Sequence, residues 1–169
     1  EQNILITKQI REIASSLDLP LEAELGKLGT KGKEEIHQLT DPDEAEMFVR
    51  ATNVDSLAVA LGNIHASYRE KVKINLEHLQ VIHDRIGIPI VLHGGTGVSE
   101  DDVKEAITRG VSKVNIATEW RRATIDYLRD QLTDSSNNDF FALNKGITDT
   151  IANIVENKIA LFGSAGRAE

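Results

Sequence analysis

Four times in succession a short apolar run gives way to a stretch with helical spacing, and no hairpin signal falls between them. That alternation specifies an α/β fold of parallel strands joined by right-handed crossovers. The apolar runs are residues 19–25 (LPLEAEL), 56–61 (SLAVAL), 88–92 (IPIVL) and 111–117 (VSKVNIA). Val, Ile and Leu follow one another almost without interruption in the third, as a strand covered on both faces allows. Ile6, Ile10, Ile13, Ala14 and Leu17 share a helical period, so the chain opens on an amphipathic helix over roughly 4–16. Asp41 as cap with Pro42 behind it starts a second helix that runs to about Thr52. A third covers 75–86 with Leu76, Leu79, Ile82 and Ile86 inward, and His78 and His83 are expected on its surface. Ser99 caps a fourth, with Asp102 three residues on, and a fifth runs from near Glu119 to about Leu132. A polar linker at 133–139 then leads to a long final helix marked by Ile147, Ile151, Ile154, Val155, Ile159 and Phe162.

Parallel α/β sheets bind ligands at the carboxyl ends of their strands, so Glu24, His65, His93 and Asn115 are expected on one side. Two architectures meet the pattern, an open doubly wound sheet and part of a (β/α)8 barrel. No GxGxxG fingerprint follows a first strand, which disfavours dinucleotide binding. A complete barrel takes about 250 residues. At 169 residues, four units and a tail correspond to its second half. The expected division is residues 1–132 as half-barrel and 133–169 as linker and helix, docked on the barrel or a partner subunit.

Chemistry concentrates in IPIVLHGGTG at 88–97. Gly94, Gly95 and Gly97 permit close backbone approach to an anion, while the His93 imidazole beside them is available to a metal. The alternative is an ordinary strand-ending turn. Glu22 and Glu24 share one strand face, since side chains two apart point the same way. Residues 26–39 are rich in Gly and charge with no period, which reads as a mobile loop over a site, with His37 solvated. The chain has no cysteine, so metal ligation falls to His and carboxylates. A net charge of −8 with scattered Lys and Arg argues against nucleic acid or an anionic membrane as partner. No apolar run reaches the roughly 20 residues of a membrane helix, and the expectation is a cytoplasmic protein.

LEAELGKLG at 21–29, VDSLAVALGNIHASY at 54–68, IPIVLHGGTG, VSKVNIATE at 111–119 and NKIALFGSAGR at 157–167 together resemble the class II, zinc-dependent ketose-bisphosphate aldolases. NIAT at 115–118 points to the tagatose-bisphosphate branch. The resemblance implies a (β/α)8 barrel and zinc-dependent cleavage of a ketose 1,6-bisphosphate, tagatose or fructose, to dihydroxyacetone phosphate and glyceraldehyde 3-phosphate. It also implies a homo-oligomer. His65 and His93 match two zinc histidines, and Glu24 a carboxylate that contacts the metal in an alternative position. Gly94, Gly95 and Thr96, with Asn115, Ile116, Ala117 and Thr118, match the groups that hold the substrate phosphate. Ala66 stands where the family usually has a glycine that contacts phosphate and a monovalent cation. Lys31 and Gly32 occupy positions where the family's loop is acidic, and Glu34 or Glu35 is the candidate general base, a solvated charge pair being the alternative. The family's third zinc histidine and catalytic aspartate lie together in an earlier strand, with no matching motif here. The expectation is therefore an aldolase whose amino-terminal half lies outside this sequence and without which it is inactive. The alternatives are a non-catalytic half-barrel that binds phosphate and pairs with another chain, and an unrelated doubly wound phosphate-binding domain.

Overall fold

The computed structural model describes residues 1–26, 29–30, 39–62, 64–65, 72–134 and 139–167, with 29, 30, 64 and 65 described by their backbone alone. In order, the elements are α1 Gln2–Ser16, β1 Glu22–Leu25, β2 Gly29–Thr30, α2 Pro42–Thr52, β3 Ser56–Val59, β4 Ile64–His65, α3 Leu76–Ile86, β5 Ile90–Leu92, α4 Glu100–Thr108, β6 Val111–Val114, α5 Thr118–Gln131 and α6 Phe140–Leu161. The four longer strands form one parallel sheet in the order β1-β3-β5-β6. Strand neighbours thus follow chain order without the reversal that defines a doubly wound sheet, and the architecture is that of a half barrel.

Leu57, Val59, Leu61, Ile90, Leu92 and Val111 project from one face of the sheet into a core with Phe48 of α2 and Leu79 and Ile82 of α3. Register then assigns the other face. Glu22 pairs with Ser56 and Glu24 with Ala58, so both glutamates stand on the face away from that core. Side-chain caps begin α2, α3, α4 and α6, from Asp41, Asn75, Ser99 and Asp139. The Asp139 cap starts α6 at Phe140, ahead of the apolar stripe that announces it in the sequence. A helix begins where its first amides find an acceptor, and the stripe begins only where a face is covered. α6 packs back along α5, where Gly146 lies against the Tyr127 hydroxyl and Lys158 Nζ stands 3.0 Å from Glu119 Oε2.

Three local expectations need correction. Most of the residues whose period marks α1 do not face the core: Ile6, Ile10 and Ile13, with Leu17 just past its end, are 46–62% exposed, while Thr7 and Ala14 are buried and Ile4 packs on the core. Helical spacing reports which residues share a face and leaves open what covers it. His78 is not a plain surface residue, because its Nε2 lies 2.7 Å from the Thr40 carbonyl. His83 rests its ring on Gly110, and its buried Nδ1, 3.7 Å from Asp84 Oδ1, has no hydrogen-bond partner among the described residues. Both rings flank the Leu79–Ile82–Ile86 stripe, where a solvated reading by composition fails. Part of the stretch read as an irregular loop is also paired, since Gly29–Thr30 lies parallel to Ile64–His65 with Thr30 opposite His65.

Two polar knots fix the chain around the sheet. Asp55 accepts from the Leu21 amide and from Arg11, joining α1, β1 and β3, and these bonds, the Leu21 amide first, hold its carboxyl below the usual range. Thr40 is buried; its hydroxyl donates to the Leu25 carbonyl at 2.7 Å and accepts from the Ala60 amide at 2.8 Å. It thereby ties the carboxyl ends of β1 and β3 to the chain entering α2. Thr40→Val keeps the shape and strands both partners. We expect it to lower the free energy of urea unfolding by about 2 kcal/mol, and a loss below about 0.5 kcal/mol would contradict this role.

Candidate functional site

The carboxyl ends of β5 and β6 open into a cavity of about 460 Å³ lined by His93, Gly94, Thr96, Val114, Asn115, Ile116, Ala117 and Thr118. Both walls follow from parallel pairing. Leu92 lies opposite Val114, so the residues after each strand emerge side by side. The Asn115 amide donates to the Leu92 carbonyl at 2.9 Å and the Gly95 amide to the Asn115 carbonyl at 3.2 Å, which extends the contact past the strands. Gly94 adopts φ +64°, turning the chain directly after His93. Gly95 is required for a different reason. A Cβ there would stand 2.6 Å from Val114 Cγ1 and 3.3 Å from Ile116 Cγ1, so only glycine lets the turn lie against β6. With its amide committed to Asn115, Gly95 contributes proximity rather than a donor.

The start of α5 differs from its neighbours. Its cap position is Ala117, which has no side-chain acceptor, and among the described residues no side-chain cap bond is made. The first turn of α5 therefore borders the cavity at Ala117 and Thr118, with the positive end of the helix dipole behind it and no side-chain cap among the described residues. Such a terminus is suited to an anion. Thr96 is buried beneath the opposite wall. Gly97 accepts from the Val72 amide at 2.9 Å, tying the glycine turn to the chain that returns after β4.

On the metal side, His93 Nε2 lies 3.3 Å from Asn115 Nδ2 and 3.9 Å from Glu22 Oε1. An ion at the ordinary distance of about 2.1 Å from an imidazole nitrogen and a carboxylate oxygen spans up to about 4.2 Å between them. The separation of 3.9 Å lies within that span, and imidazole and carboxylate are both ordinary zinc donors. Among the described residues no three His, Cys, Asp or Glu side chains converge as metal donors. His65 is placed through its backbone in β4; its side chain, and Ala66, Glu34, Glu35 and His37, lie outside the described residues. Glu24 stands exposed on the same face of β1 as Glu22. Sequence reasoning had placed both glutamates on one face but did not single out Glu22. The signal that separates them is Lys113 on the far edge of the sheet, which holds Glu22 Oε2 at 2.9 Å.

Comparison with known proteins accords with this geometry. The family model described as fructose-bisphosphate aldolase class-II matches residues 1–167. YdjI of Escherichia coli K12 is 37% identical over 173 residues, covering 100% of this chain and 61% of the relative. A fructose-bisphosphate aldolase of Geobacillus stearothermophilus is 36% identical over 174 residues, covering 99% and 60%. The crystal structure of the YdjI aldolase superposes with a TM-score of 0.85 at 36% identity, over 99% of this chain and 58% of that one. The chain thus spans about 60% of the length of the curated relatives it matches. Gly95→Ala tests the cavity itself. We expect the added methyl to part the turn from β6 and to lower the unfolding free energy by about 1–3 kcal/mol in urea titration; an unchanged midpoint would show that the two walls are not in contact.

Proposed function

The chain belongs to the class-II fructose-bisphosphate aldolase family, and on that premise we propose that it forms the phosphate- and metal-binding half of a barrel that cleaves a ketose 1,6-bisphosphate reversibly. The substrate proposed is tagatose or fructose 1,6-bisphosphate, the tagatose sugar being favoured by Asn115-Ile116-Ala117-Thr118, and the products are dihydroxyacetone phosphate and glyceraldehyde 3-phosphate. One observation carries this reading: a single cavity has an imidazole on its rim and a glycine turn facing an uncapped helix start across it.

In this proposal His93 and His65 hold zinc, with Glu24 as the carboxylate of the alternative position. Zinc, when bound, supplies Lewis-acid polarisation of the substrate carbonyl. The chain's own residues do the positioning. Gly94, Thr96 and the first amides of α5 receive the substrate phosphate, with Asn115, Ile116 and Thr118 lining its other side. Gly95 keeps that side close, and Ala66 is the backbone contact proposed for phosphate and a monovalent cation. A phosphate held at a fixed distance from His93 delivers the carbonyl end of the substrate to the same place at each turnover. Glu34 or Glu35 is the proposed base for the hydroxyl beside the breaking carbon–carbon bond. We propose further that the protein acts in the cytoplasm as a homo-oligomer; among the described residues no helix is long and apolar enough to cross a membrane.

The second reading is a half-barrel that binds phosphate without catalysis. A cleavage assay on the complete protein with both sugars, with and without zinc, separates the two. For the aldolase we expect zinc-dependent cleavage, and His93→Ala is expected to reduce it by about a hundredfold or more while the protein stays folded. Phosphate binding with neither sugar cleaved would favour the second reading. Full zinc content and activity in His93→Ala would contradict the first.

A further inference from the structure

We infer that Glu22 and Lys113 form a strut across the open face of the sheet that fixes a carboxylate oxygen opposite the metal-binding nitrogen of His93, an inference that rests on the reading of His93 as a metal-binding residue. β1 and β6 are the two outer strands of the sheet. Three strand spacings separate their backbones by about 14 Å if the sheet is flat. Yet Lys113 Nζ donates to Glu22 Oε2 at 2.9 Å, between residues 91 apart in sequence. Both side chains must therefore extend over the same face toward each other, and the ion pair is a chord beneath the arc of strands.

Two features of the backbone make the chord possible. Ile90 pairs with Val111, but Val91 pairs with Lys113, so Ser112 is an extra residue in β6. This bulge turns Lys113 to the face that Val91 occupies; regular pairing would have sent it toward the core. Val114 returns to the core side after it and packs there. Under the chord, β3 presents only Ser56 and Ala58, whose small side chains leave room.

Anchored through Oε2, the carboxylate has its other oxygen directed at His93, with Oε1 3.9 Å from Nε2. Lys113 is 55% and Glu22 30% exposed at the side chain, and a pair so wetted contributes little to stability. What it does supply is direction: it removes rotamer freedom from a long carboxylate beside a metal-binding nitrogen, and it sets a negative charge there. The bulge, the small residues beneath and the ion pair all serve that one placement. Lys113 is thus a positioning residue that acts through Glu22.

The test uses Glu22→Gln, Lys113→Met, Lys113→Arg, their Gln/Met double variant and His93→Ala in the complete protein. Zinc affinity is measured by chelator competition, and the His93 imidazole by its ¹⁵N shifts in zinc-free protein. A group that orients a carboxylate facing a bound metal is worth about 10–100-fold in metal affinity. We expect losses of that size in Glu22→Gln and Lys113→Met, recovery in Lys113→Arg, and a double variant no weaker than Glu22→Gln alone. The His93 ¹⁵N shifts should move in Glu22→Gln while the urea midpoint stays in place. Unchanged zinc affinity and unchanged shifts in Glu22→Gln, with zinc lost in His93→Ala, would overturn the strut and leave the metal reading standing. Unchanged zinc in His93→Ala would overturn the metal reading instead, and the ¹⁵N shifts would then decide the strut alone.

Discussion

Parallel strand pairing is the constraint on which the rest of this molecule depends. Because β1, β3, β5 and β6 all run the same way, every chain segment leaving a carboxyl end emerges on one side of the sheet. The glycine turn after β5 and the residues after β6 become neighbours for that reason alone, and the hydrogen bonds from Asn115 to Leu92 and from Gly95 to Asn115 continue the pairing into the cavity. A helix on the other face holds each strand in place through Phe48, Leu79 and Ile82. The face turned away from the helices carries Glu22, Glu24 and Lys113 around the buried Ala58 and Val91.

The division of roles around the cavity follows from how each segment meets its backbone requirements. Helices that serve only as scaffold, α2, α3, α4 and α6, satisfy their first amides with their own Asp, Asn or Ser. Among the described residues α1 has no side-chain cap, and neither does α5, which borders the cavity. An alanine at that cap forgoes about 1 kcal/mol of local stabilisation and leaves donors for an incoming anion. A glycine with no room for a methyl group on the facing wall, and a one-residue bulge that redirects Lys113, are further local departures from regular structure gathered around the same cavity and sheet face. Departures of this kind cluster where a site must be shaped rather than merely stabilised.

Much of the fold was legible in the sequence because its signals are local. The caps at Asp41 and Ser99, the strand-length apolar runs and the glycine pair after His93 each act within a few residues, and these fall where expected. The barrel assignment came from several motifs in order, and the family model spanning residues 1–167 agrees with it. What the sequence could not convey depends on distant partners. The apolar face of α1 shows its period but not its exposure, His78 reads as solvated until Thr40 is brought against it, and Glu22 is indistinguishable from Glu24 until Lys113 arrives from the opposite edge. The bulge was half visible: Val111 and Val114 are three apart, a spacing that two core-facing strand positions permit only with one extra residue between them.

The central claim is that one cavity at the carboxyl ends of β5 and β6 receives both a metal at His93 and a phosphate at the glycine turn and the start of α5. Anomalous diffraction at the zinc edge, from crystals of the complete protein soaked with zinc and dihydroxyacetone phosphate, tests it most directly. The account predicts an anomalous peak at bonding distance from His93 Nε2, with the phosphate lying between Gly94–Thr96 and the first turn of α5. A zinc peak elsewhere, with His93 unligated and the cavity occupied by water alone, would contradict it.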